Sequence, residues 1–349
     1  MADYPSITIV TPSYNQGEYI EQTIDSILSQ NYPKLQYIIM DGGSTDATPE
    51  ILRKFSKHIH YWESQKDRGQ SHAINKGLAM ANGTLFNWIN SDDWMAPNSL
   101  VSIAEIYNAH QAEVILTRTN LVRQGQVIGV NGHTKINATA VESALERGLN
   151  QPGHFYKTEV LKRLNGVDEC YQFSMDLDLW VRYLLTFGQE KTATSDTITT
   201  YFRFHPDSKS EIQGWDLGSG FDLESKAMRI RLARQLINPQ PAIAFQKLYS
   251  DAAPHCLEKP AISIVHPENL SKWANSILYP EIQKAFYLEN FNDAKTLAEG
   301  ILSELLPLDA QKNISAYKRY SAWTTHFPGS ILHPIFKLIR HNLKRVRGR

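Results

Sequence analysis

Short apolar segments alternate with amphipathic ones along the N-terminal part of the chain, and this alternation most limits what it can fold into. The segments "SITIVTPSY", "LQYIIMDGG" and "TLFNWIN" have the composition of buried β-strands. Between the first two, "EYIEQTIDSILSQ" places isoleucines and a leucine on one helical face. Strands that alternate with helices through short links form βαβ units, so the sequence predicts an α/β domain with a mostly parallel sheet flanked by helices.

Polar clusters follow three of the predicted strands at the points where those strands end. They are "PSYNQG", "DGGSTD" and "NSDD". In parallel α/β sheets, ligands bind beyond the carboxyl ends of the strands. The sequence therefore predicts a ligand site built from these three clusters.

The pattern changes twice further along the chain. The segment "EVILTRTNLVRQGQVIGV" predicts two strands joined at a Gln-Gly turn. Beyond about residue 225 the strand signal fades, and helical periodicity prevails in "LESKAMRIRLARQLI" and "DAKTLAEGILSEL". We therefore expect an α/β domain over residues 1–225 and a helical C-terminal extension over residues 226–349.

Charge and cysteine content exclude several classes of function. The chain has 36 Lys and Arg against 36 Asp and Glu, so its formal net charge of +0 gives no overall field that would attract nucleic acid. The two cysteines, Cys170 and Cys256, match no metal-binding spacing or disulfide framework, which favours a reducing, cytoplasmic location. No segment approaches the roughly 18 apolar residues that a membrane span requires.

Asp92 and Asp93 stand side by side in "NWINSDDWMAP", where their charges repel each other. One explanation is structural, with both residues serving as turn and cap residues before the next helix. The other is that a cation lies between them and a ligand. The two residues alone do not distinguish these explanations.

Together, the N-terminal motifs resemble a known enzyme family. "TIVTPSYNQGEYIEQTIDSILSQNYPKLQYIIMDGGSTDAT", "DRGQSHAINKGLAMANG" and "NWINSDDWMAP" are similar to the inverting glycosyltransferases of family 2, which have the Rossmann-like GT-A fold. "SMDLDLWVRYL" and "RFHPDSKS" extend the resemblance to about residue 210. The resemblance implies a nucleotide-diphosphate sugar donor, a divalent metal (Mn²⁺ or Mg²⁺) and a hydroxyl acceptor. Uridine is the expected base, with guanosine or thymidine diphosphates as alternatives.

The resemblance gives Asp93 the role of principal metal ligand, while Asp92 faces the ribose or shares the metal. Carboxylates alone would repel a diphosphate, whereas a divalent cation held by them stabilises the charge on the departing phosphate. The commoner form of the family has an aspartate where Asn90 stands.

Further donor contacts are expected at the ends of the first two strands. Asp41 suits the imide N–H of uracil or a ribose hydroxyl, and the glycines after it permit close backbone approach. Thr11 is placed to contact the base through its backbone or hydroxyl, in a pocket shaped by Pro12 and Tyr14.

Four other residues are candidates for the donor site. Arg68 precedes a helix whose N-terminus favours phosphate. Gln151 and His154 fall where related enzymes line the donor or acceptor pocket. His205 lies on a loop after a strand, in reach of the metal or diphosphate, and Lys209 follows on the same loop as part of a lid. The structural alternatives are a solvated arginine and core or exposed histidines.

An inverting transferase needs one general base near the acceptor hydroxyl. Two residues along a helix separate side chains by about 200°, so only one of Asp176 and Asp178 can face the site. By resemblance to the family's "(E/D)DxDLW" stretch, Asp176 is the base and Asp178 the fallback. Asp176 also suits a helix N-cap. The acid that usually precedes the base is Met175 here.

The acceptor is expected to be a glycan or a lipid-linked sugar, the commonest setting for such enzymes. The extreme C-terminus is basic and amphipathic, which allows peripheral contact with an anionic membrane at the inner face of the plasma membrane. A solvated tail, or a helix packed on the protein itself, is the alternative. The cations are Lys337, Arg340, Lys344, Arg345, Arg347 and Arg349.

Three other functions compete with a glycosyltransferase. A sugar-nucleotide pyrophosphorylase would begin with a Gly-rich loop and a basic residue after the first strand, where this chain has "TPSYNQGEY". A dinucleotide-dependent dehydrogenase would need G-x-G-x-x-G after a strand, and this motif is absent from the sequence. A catalytically silent scaffold with the GT-A fold remains an alternative, because Asn90 and Met175 depart from the family pattern.

Overall fold

The computed structural model of the 349-residue chain describes residues 4–146, 148–213, 216–258, 266–288 and 290–324. The chain forms two compact units that divide between Glu224 and Ser225. The basic C-terminal tail lies outside the described residues.

The first unit is built on one nine-stranded sheet with the neighbour order β3-β2-β1-β4-β8-β6-β9-β5, and β7 pairs with β6. The strands are β1 Ile7–Ser13, β2 Leu35–Asp41, β3 Tyr61–Ser64, β4 Leu85–Trp88, β5 Trp94–Met95, β6 Val114–Arg123, β7 Gln126–Asn131, β8 His154–Lys157 and β9 Thr192–Phe204. The hairpin predicted from "EVILTRTNLVRQGQVIGV" is confirmed. Gln124 and Gly125 form the turn between β6 and β7, and both have positive φ.

The sheet is parallel in its first part and mixed in its second. β3, β2, β1 and β4 run parallel, as βαβ connections require. β8 lies between β4 and β6 and is antiparallel to both, while β6 and β9 are parallel. The expected mostly parallel sheet therefore applies to the N-terminal strands, and the later strands form a mixed sheet.

Helices cover both faces of the parallel strands. Ile9 and Val10 are consecutive and point to opposite faces of β1. Ile9 belongs to the core under α1, α2 and α4. On the other face, Gly77 of α3 lies so close that an added Cβ would be 2.6 Å from the Val10 side chain. The helices are α1 Ile20–Leu28, α2 Thr48–Phe55, α3 Gln70–Met80, α4 Ser99–His110, α5 Ala140–Ser143, α6 Thr158–Arg163, α7 Met175–Phe187, α8 Lys209–Gln213 and α9 Gly220–Ala233.

The described residues of the second unit form helices. Phe286 and Tyr317 pack in its core with ring centroids 4.4 Å apart, and Asn275 exchanges two hydrogen bonds with the backbone of Leu302. Among the described residues, no helix combines the length and apolarity of a membrane span. Its remaining helices are α10 Gln240–Leu248, α11 Pro254–Leu257, α12 Pro267–Tyr287, α13 Phe291–Glu299 and α14 Leu308–Thr324.

Candidate active site

The Asp92–Asp93 turn joins β4 to β5 at the carboxyl end of the parallel strands. Asp93 is buried, and its carboxylate accepts hydrogen bonds from the backbone N–H of Arg203 at 3.0 Å and from Asn90 Nδ2 at 3.3 Å. Its carbonyl accepts one from Thr23 Oγ1. Burial, followed by the neighbouring charge of Asp92, raises the pKa of Asp93 well above its ordinary value. The turn thus holds a carboxylate whose charge lacks full compensation.

Arg203, the next-to-last residue of β9, fixes this turn from the other side. Its Nε donates to the carbonyl of Asp92 at 2.8 Å. Its guanidinium stacks on the rings of Tyr19 and Trp94, with its carbon 4.8 and 4.6 Å from their centroids. The planar guanidinium therefore stabilises the turn in two ways, by a hydrogen bond to its backbone and by stacking on aromatic rings beside it.

His205 approaches the same turn just past the end of β9. Its Nε2 lies 3.0 Å from Asp92 Oδ2, and its ring lies 4.6 Å from that of Tyr19. The other ring nitrogen, Nδ1, is buried and has no hydrogen-bond partner among the described residues. Such an unpartnered nitrogen is uncommon, since buried polar atoms are normally satisfied, and it leaves His205 with one ring nitrogen able to bind a further group.

These groups fit the divalent metal that the resemblance implies. Carboxylate oxygens and an imidazole nitrogen suit Mn²⁺, and carboxylates suit Mg²⁺. Asp92 keeps 21% of its side chain exposed, so an ion can reach it, and the raised pKa of Asp93 marks a place where added positive charge is favourable. Asp92, Asp93 and His205 would hold the metal.

Asp41 lies at the end of β2, where the predicted nucleoside contact was expected. Its buried carboxylate accepts hydrogen bonds from Ser44 N at 2.9 Å, from the Ser44 hydroxyl and from Ser64 Oγ at 2.5 Å. Ser13 is paired with Asp41 in the sheet, and its buried hydroxyl has no partner among the described residues. Gly43 then turns the chain at a φ of +84°, which a side chain would strain. Asp41 is thus held at the strand end by Ser44 and Ser64, and Ser13 beside it keeps a hydroxyl without a partner among the described residues.

The first strand provides only part of what was expected of it. The hydroxyl of Thr11 is buried and bonded to Tyr37 OH at 3.1 Å, so its side chain belongs to the core and only its backbone is left for a ligand. Pro12 is paired with Met40 inside the sheet. Tyr14 is 62% exposed and lies beside Gly42, at the same edge as Asp41.

Asp176 and Asp178 lie in the first turn of α7 in different surroundings. The buried Asp178 forms an ion pair with Arg182 at 2.7 Å, and this arginine also donates to the carbonyls of Leu164 and Gly166. Asp176 is half-buried, and its carboxylate accepts a hydrogen bond from Leu177 N at 2.8 Å. Desolvation raises the pKa of Asp176 to about 6. Asp178 thus has a structural partner, whereas Asp176 has the pKa of a proton acceptor near neutral pH.

Glu224 fixes the segment that leads into α7. Its two carboxylate oxygens accept hydrogen bonds from three successive backbone N–H groups, those of Gln172, Phe173 and Ser174, at 2.8–2.9 Å. Its charge also raises the pKa of Asp176, although less than burial does. Glu224 is thus a second carboxylate whose charge acts on Asp176, while Met175 stands where the family resemblance places an acid.

Three predicted donor residues have partners within the protein. Arg68 is exposed and pairs with Glu169 at 2.7 Å. The buried Gln151 donates to the carbonyl of Trp88 at 3.0 Å and so supports the end of β4. Both ring nitrogens of the buried His154 are bonded inside the fold, to Thr134 and Tyr156 hydroxyls, and burial lowers the His154 pKa to about 3. The expectation that His154 lines a ligand pocket is therefore corrected, because it is a core residue.

Sequence reasoning missed Arg203, Glu224 and Ser13. Arg203 could have been predicted, because it stands two residues before His205. In an extended chain the two side chains therefore point to the same side. Ser13 ends the first strand next to the cluster that was recognised. Glu224 had no signal, because it lies 50 residues from Ser174 in the sequence.

Comparison with known proteins identifies the part of the chain that carries the Asp92–Asp93 turn and Asp41. Residues 8–174 match the profile of glycosyl transferase family 2. This part of the chain belongs to that family. It includes the Asp92–Asp93 turn and Asp41, and it ends two residues before Asp176.

Curated relatives of the family 2 domain match over part of their length. The chain is 33% identical over 123 residues to the putative teichuronic acid biosynthesis glycosyltransferase TuaG of Bacillus subtilis, covering 34% of this chain and 49% of TuaG. It is 32% identical over 110 residues to the glycosyltransferase GlyA of Streptococcus pneumoniae, covering 31% of this chain and 16% of GlyA. The chain thus spans about half of TuaG and about a sixth of GlyA.

Solved structures extend the similarity of fold beyond the family 2 domain. TarS 1–349 of S. aureus, solved with UDP-GlcNAc, matches with a TM-score of 0.54 at 16% identity, covering 90% of each chain. The same protein with UDP matches with a TM-score of 0.53. At this identity the comparison establishes the shared GT-A fold.

Proposed function

We propose that the chain is an inverting, metal-dependent glycosyltransferase that moves a sugar from a nucleoside diphosphate donor to a hydroxyl of a glycan or glycolipid. One observation carries the proposal. Residues 8–174 match family 2 and contain Asp92 and the buried Asp93, His205 lies 3.0 Å from Asp92, and Asp176 stands at the start of α7 with a pKa of about 6. A cation-binding cluster and a separate proton acceptor are the two parts that this chemistry needs.

The donor end of the site has a distinct role for each residue. Asp41, with the unpartnered hydroxyl of Ser13, is proposed to hold the nucleoside. Asp92, Asp93 and His205 are proposed to hold a divalent metal, which when bound supplies positive charge to the departing diphosphate. Arg203 keeps the turn in place through Asp92 and the two aromatic rings.

Asp176 is proposed to accept the proton of the acceptor hydroxyl. As this proton leaves, the hydroxyl oxygen forms a bond to the anomeric carbon, and the bond from that carbon to the diphosphate oxygen breaks. The nucleoside diphosphate leaves from the opposite face, which inverts the anomeric centre. A carboxyl group with a pKa of about 6 is mostly ionised at neutral pH and is more basic than an ordinary aspartate.

The donor and acceptor classes are proposed from relatives. TarS was solved with UDP and UDP-GlcNAc, which favours a uridine diphosphate sugar. TuaG is named for teichuronic acid biosynthesis, which favours a cell-envelope glycan or its lipid-linked precursor as acceptor. Contact with an anionic membrane through the basic tail, and a cytoplasmic location at that membrane, remain part of the proposal.

Calorimetry tests the donor assignment directly. The full chain is titrated with UDP, GDP, dTDP and CDP, with and without Mn²⁺, and the sugar conjugates of the nucleotide that binds are then assayed for nucleotide release. We expect one nucleotide to bind, only with the metal, and one of its conjugates to be turned over. Absence of binding by all four with Mn²⁺ would contradict the proposal and favour a catalytically silent scaffold.

A further inference from the structure

Hydrogen bonds connect the Asp92–Asp93 turn to the loop after β9 through two side-chain amides. Asn90 Nδ2 donates to Asp93 Oδ2 at 3.3 Å. Gln70 Nε2 donates to Asn90 Oδ1 at 2.7 Å, and Lys209 Nζ donates to Gln70 Oε1 at 2.8 Å. We refer to this series, Lys209–Gln70–Asn90–Asp93, as the amide relay.

The two ends of the amide relay fix its direction. A lysine ammonium can only donate, and an ionised carboxylate can only accept. Each amide between them must therefore present its oxygen towards Lys209 and its nitrogen towards Asp93. An aspartate at position 90, the commoner residue in the family, could not donate to Asp93 and would break the series there. Asn90 is thus the form of this position that completes the relay.

Lys209 also contacts the segment before the proposed base. Its Nζ donates to the carbonyl of Gln172 at 2.6 Å. The N–H of the same residue donates to Glu224, as do the next two N–H groups, and α7 begins at Met175 immediately afterwards. Gln172 is therefore held on one side by Lys209 and on the other by Glu224. One lysine joins the metal-side turn to the start of the base helix.

The charges around Asp176 are consistent with this geometry. The charged and titratable groups that face it are Lys209 of α8, Glu224 of α9 and Tyr156 of β8. Lys209 lowers the pKa of Asp176, and Glu224 raises it. Desolvation lowers the pKa of Lys209 itself, and Glu224, Asp176 and Asp92 oppose this effect. Lys209 as a residue remains exposed, so water also stabilises its charge.

We propose, building on the function proposed above, that Lys209 is a positioning residue that transmits occupancy of the Asp92–Asp93 site to the segment carrying Asp176. Asn90 donates to the carboxylate that is proposed to hold the metal. Binding there fixes the Asn90 side of the amide relay, and Gln70 and Lys209 pass this restraint to Gln172. The base is thereby ordered when the donor is present, which limits transfer to water.

Hydrogen exchange measured by mass spectrometry tests this transmission on the full chain. The probe is Mn²⁺ with UDP, or with whichever of the four nucleotides binds by calorimetry. Exchange over residues 172–178 should slow by about fivefold on binding in the wild type. In Lys209→Met, nucleotide affinity should stay within about threefold of the wild type, while this slowing is lost. Binding without slowing in the wild type, or equal slowing in both proteins, would overturn the proposal.

A ligand-free comparison keeps the relay testable apart from the proposed function. Without any nucleotide, Lys209→Met should speed exchange over residues 172–174 several-fold, because the Gln172 carbonyl loses its partner. Unchanged exchange would overturn the inference even if nucleotide binding is confirmed. A third outcome is that the wild type binds no nucleotide while Lys209→Met still exchanges faster over residues 172–174. That outcome would contradict the proposed function but support the contact between Lys209 and Gln172.

Two further variants separate the relay from a general loss of charge. Gln70→Glu still accepts from Lys209 but cannot donate to Asn90, so it should keep ligand-free protection of residues 172–174 and lose the slowing on binding. Lys191→Met is the matched control, since Lys191 pairs with Glu113 at 3.0 Å near the amino ends of β6 and β9, away from the site. It should behave as the wild type. If nucleotide binding slowed exchange over residues 172–178 as much in Gln70→Glu as in the wild type, the amide relay would not be the connection between the two sites.

The pH profile gives a readout that a purely structural role would not move. Because the Lys209 charge lowers the pKa of Asp176, Lys209→Met should move the acid limb of kcat upward by about half a unit to one unit. Lys209→Arg, which keeps the charge, should restore the wild-type limb. An acid limb that does not move in Lys209→Met would show that the lysine charge does not act on Asp176.

Discussion

Asp93 and Asp176 are both carboxylates with raised pKa values, but they are held differently. Asp93 is fully buried, stands beside a second carboxylate, and accepts hydrogen bonds from Arg203 and Asn90. Asp176 is half-buried, and its carboxylate accepts a hydrogen bond from Leu177 N. The first is a buried, hydrogen-bonded group whose charge is disfavoured by burial and by the neighbouring Asp92, so that a bound cation would stabilise it. The second is a less restrained group whose proton affinity is near neutrality, as a base should be.

Asp178 completes the comparison because it shares a helical turn with Asp176. Its buried ion pair with Arg182 occupies it in the fold. These two aspartates, separated by one residue, have the same side chain and differ only in their surroundings. Position relative to the core, rather than residue type, decides which of them is free to accept a proton.

The largest effect is expected from Asp93→Asn. The change preserves shape and removes the charge that would hold the metal, so kcat/KM for the donor should fall by at least about 10³-fold. Release of nucleotide from the donor sugar measures it. Asp196→Asn, in an exposed pair with Arg118, is the matched control and should keep wild-type turnover. Turnover of Asp93→Asn within tenfold of the wild type would remove Asp93 from the metal site.

Asp176→Asn should reduce kcat by about 10²–10³-fold, because no base accepts the acceptor proton. Donor affinity should stay within about threefold of the wild type, since Asp176 is not proposed to touch the nucleotide. Steady-state kinetics with the identified donor gives both values. If Asp178→Asn, at equal folded concentration, lost more kcat than Asp176→Asn, the assignment of the two aspartates would be reversed.

The same two variants should have opposite effects on stability. Asp178→Asn leaves the Arg182 charge buried without its partner and should cost about 3 kcal/mol of unfolding free energy. Asp176→Asn removes a charge that folding disfavours and should add about 1–2 kcal/mol at about pH 8, after allowance for its partial exposure. Urea unfolding at that pH measures both. A loss of stability in Asp176→Asn would contradict the unfavourable burial of its charge.

The pH dependence of that gain follows from the shift of the Asp176 pKa, from an ordinary 3.8 to about 6. The folded protein holds the extra proton between these values, so the wild type loses stability as pH rises from about 4 to 6. The gain in Asp176→Asn should therefore vanish at about pH 4. Over the same range kcat should fall as pH drops below about 6, because the protonated carboxyl group cannot accept a proton. A kcat independent of pH between about 5 and 7 would contradict the base assignment.

Much of the fold and part of the site could be predicted from the sequence. Alternating periodicity predicted the βαβ half, and the polar clusters marked the strand ends where Asp41, Asp92 and Asp93 lie. Sequence could not predict that β8 inserts antiparallel between β4 and β6, since pairing between distant strands has no local signal. His154 was misjudged because a buried histidine bonded by two hydroxyls has no distinguishing local pattern.

The partners of the predicted residues were beyond reach for the same reason. Glu224 approaches the segment before Asp176 from a helix that begins at Gly220, and Gln70 reaches Asn90 from α3. These contacts depend on tertiary packing, which cannot be predicted from the spacing of residues along the sequence. Local motifs thus revealed the groups that carry charge, while the groups that hold them emerged from the structure.

The most direct test of the account compares Asp93→Asn and Asp176→Asn in one calorimetric titration with the nucleotide that the wild type binds, with and without Mn²⁺. Asp93→Asn should lose metal-dependent binding, whereas Asp176→Asn should bind as the wild type does and fail only in turnover. Metal-dependent binding that survives in Asp93→Asn, or disappears in Asp176→Asn, would contradict the division of the site into a metal-holding turn and a separate base.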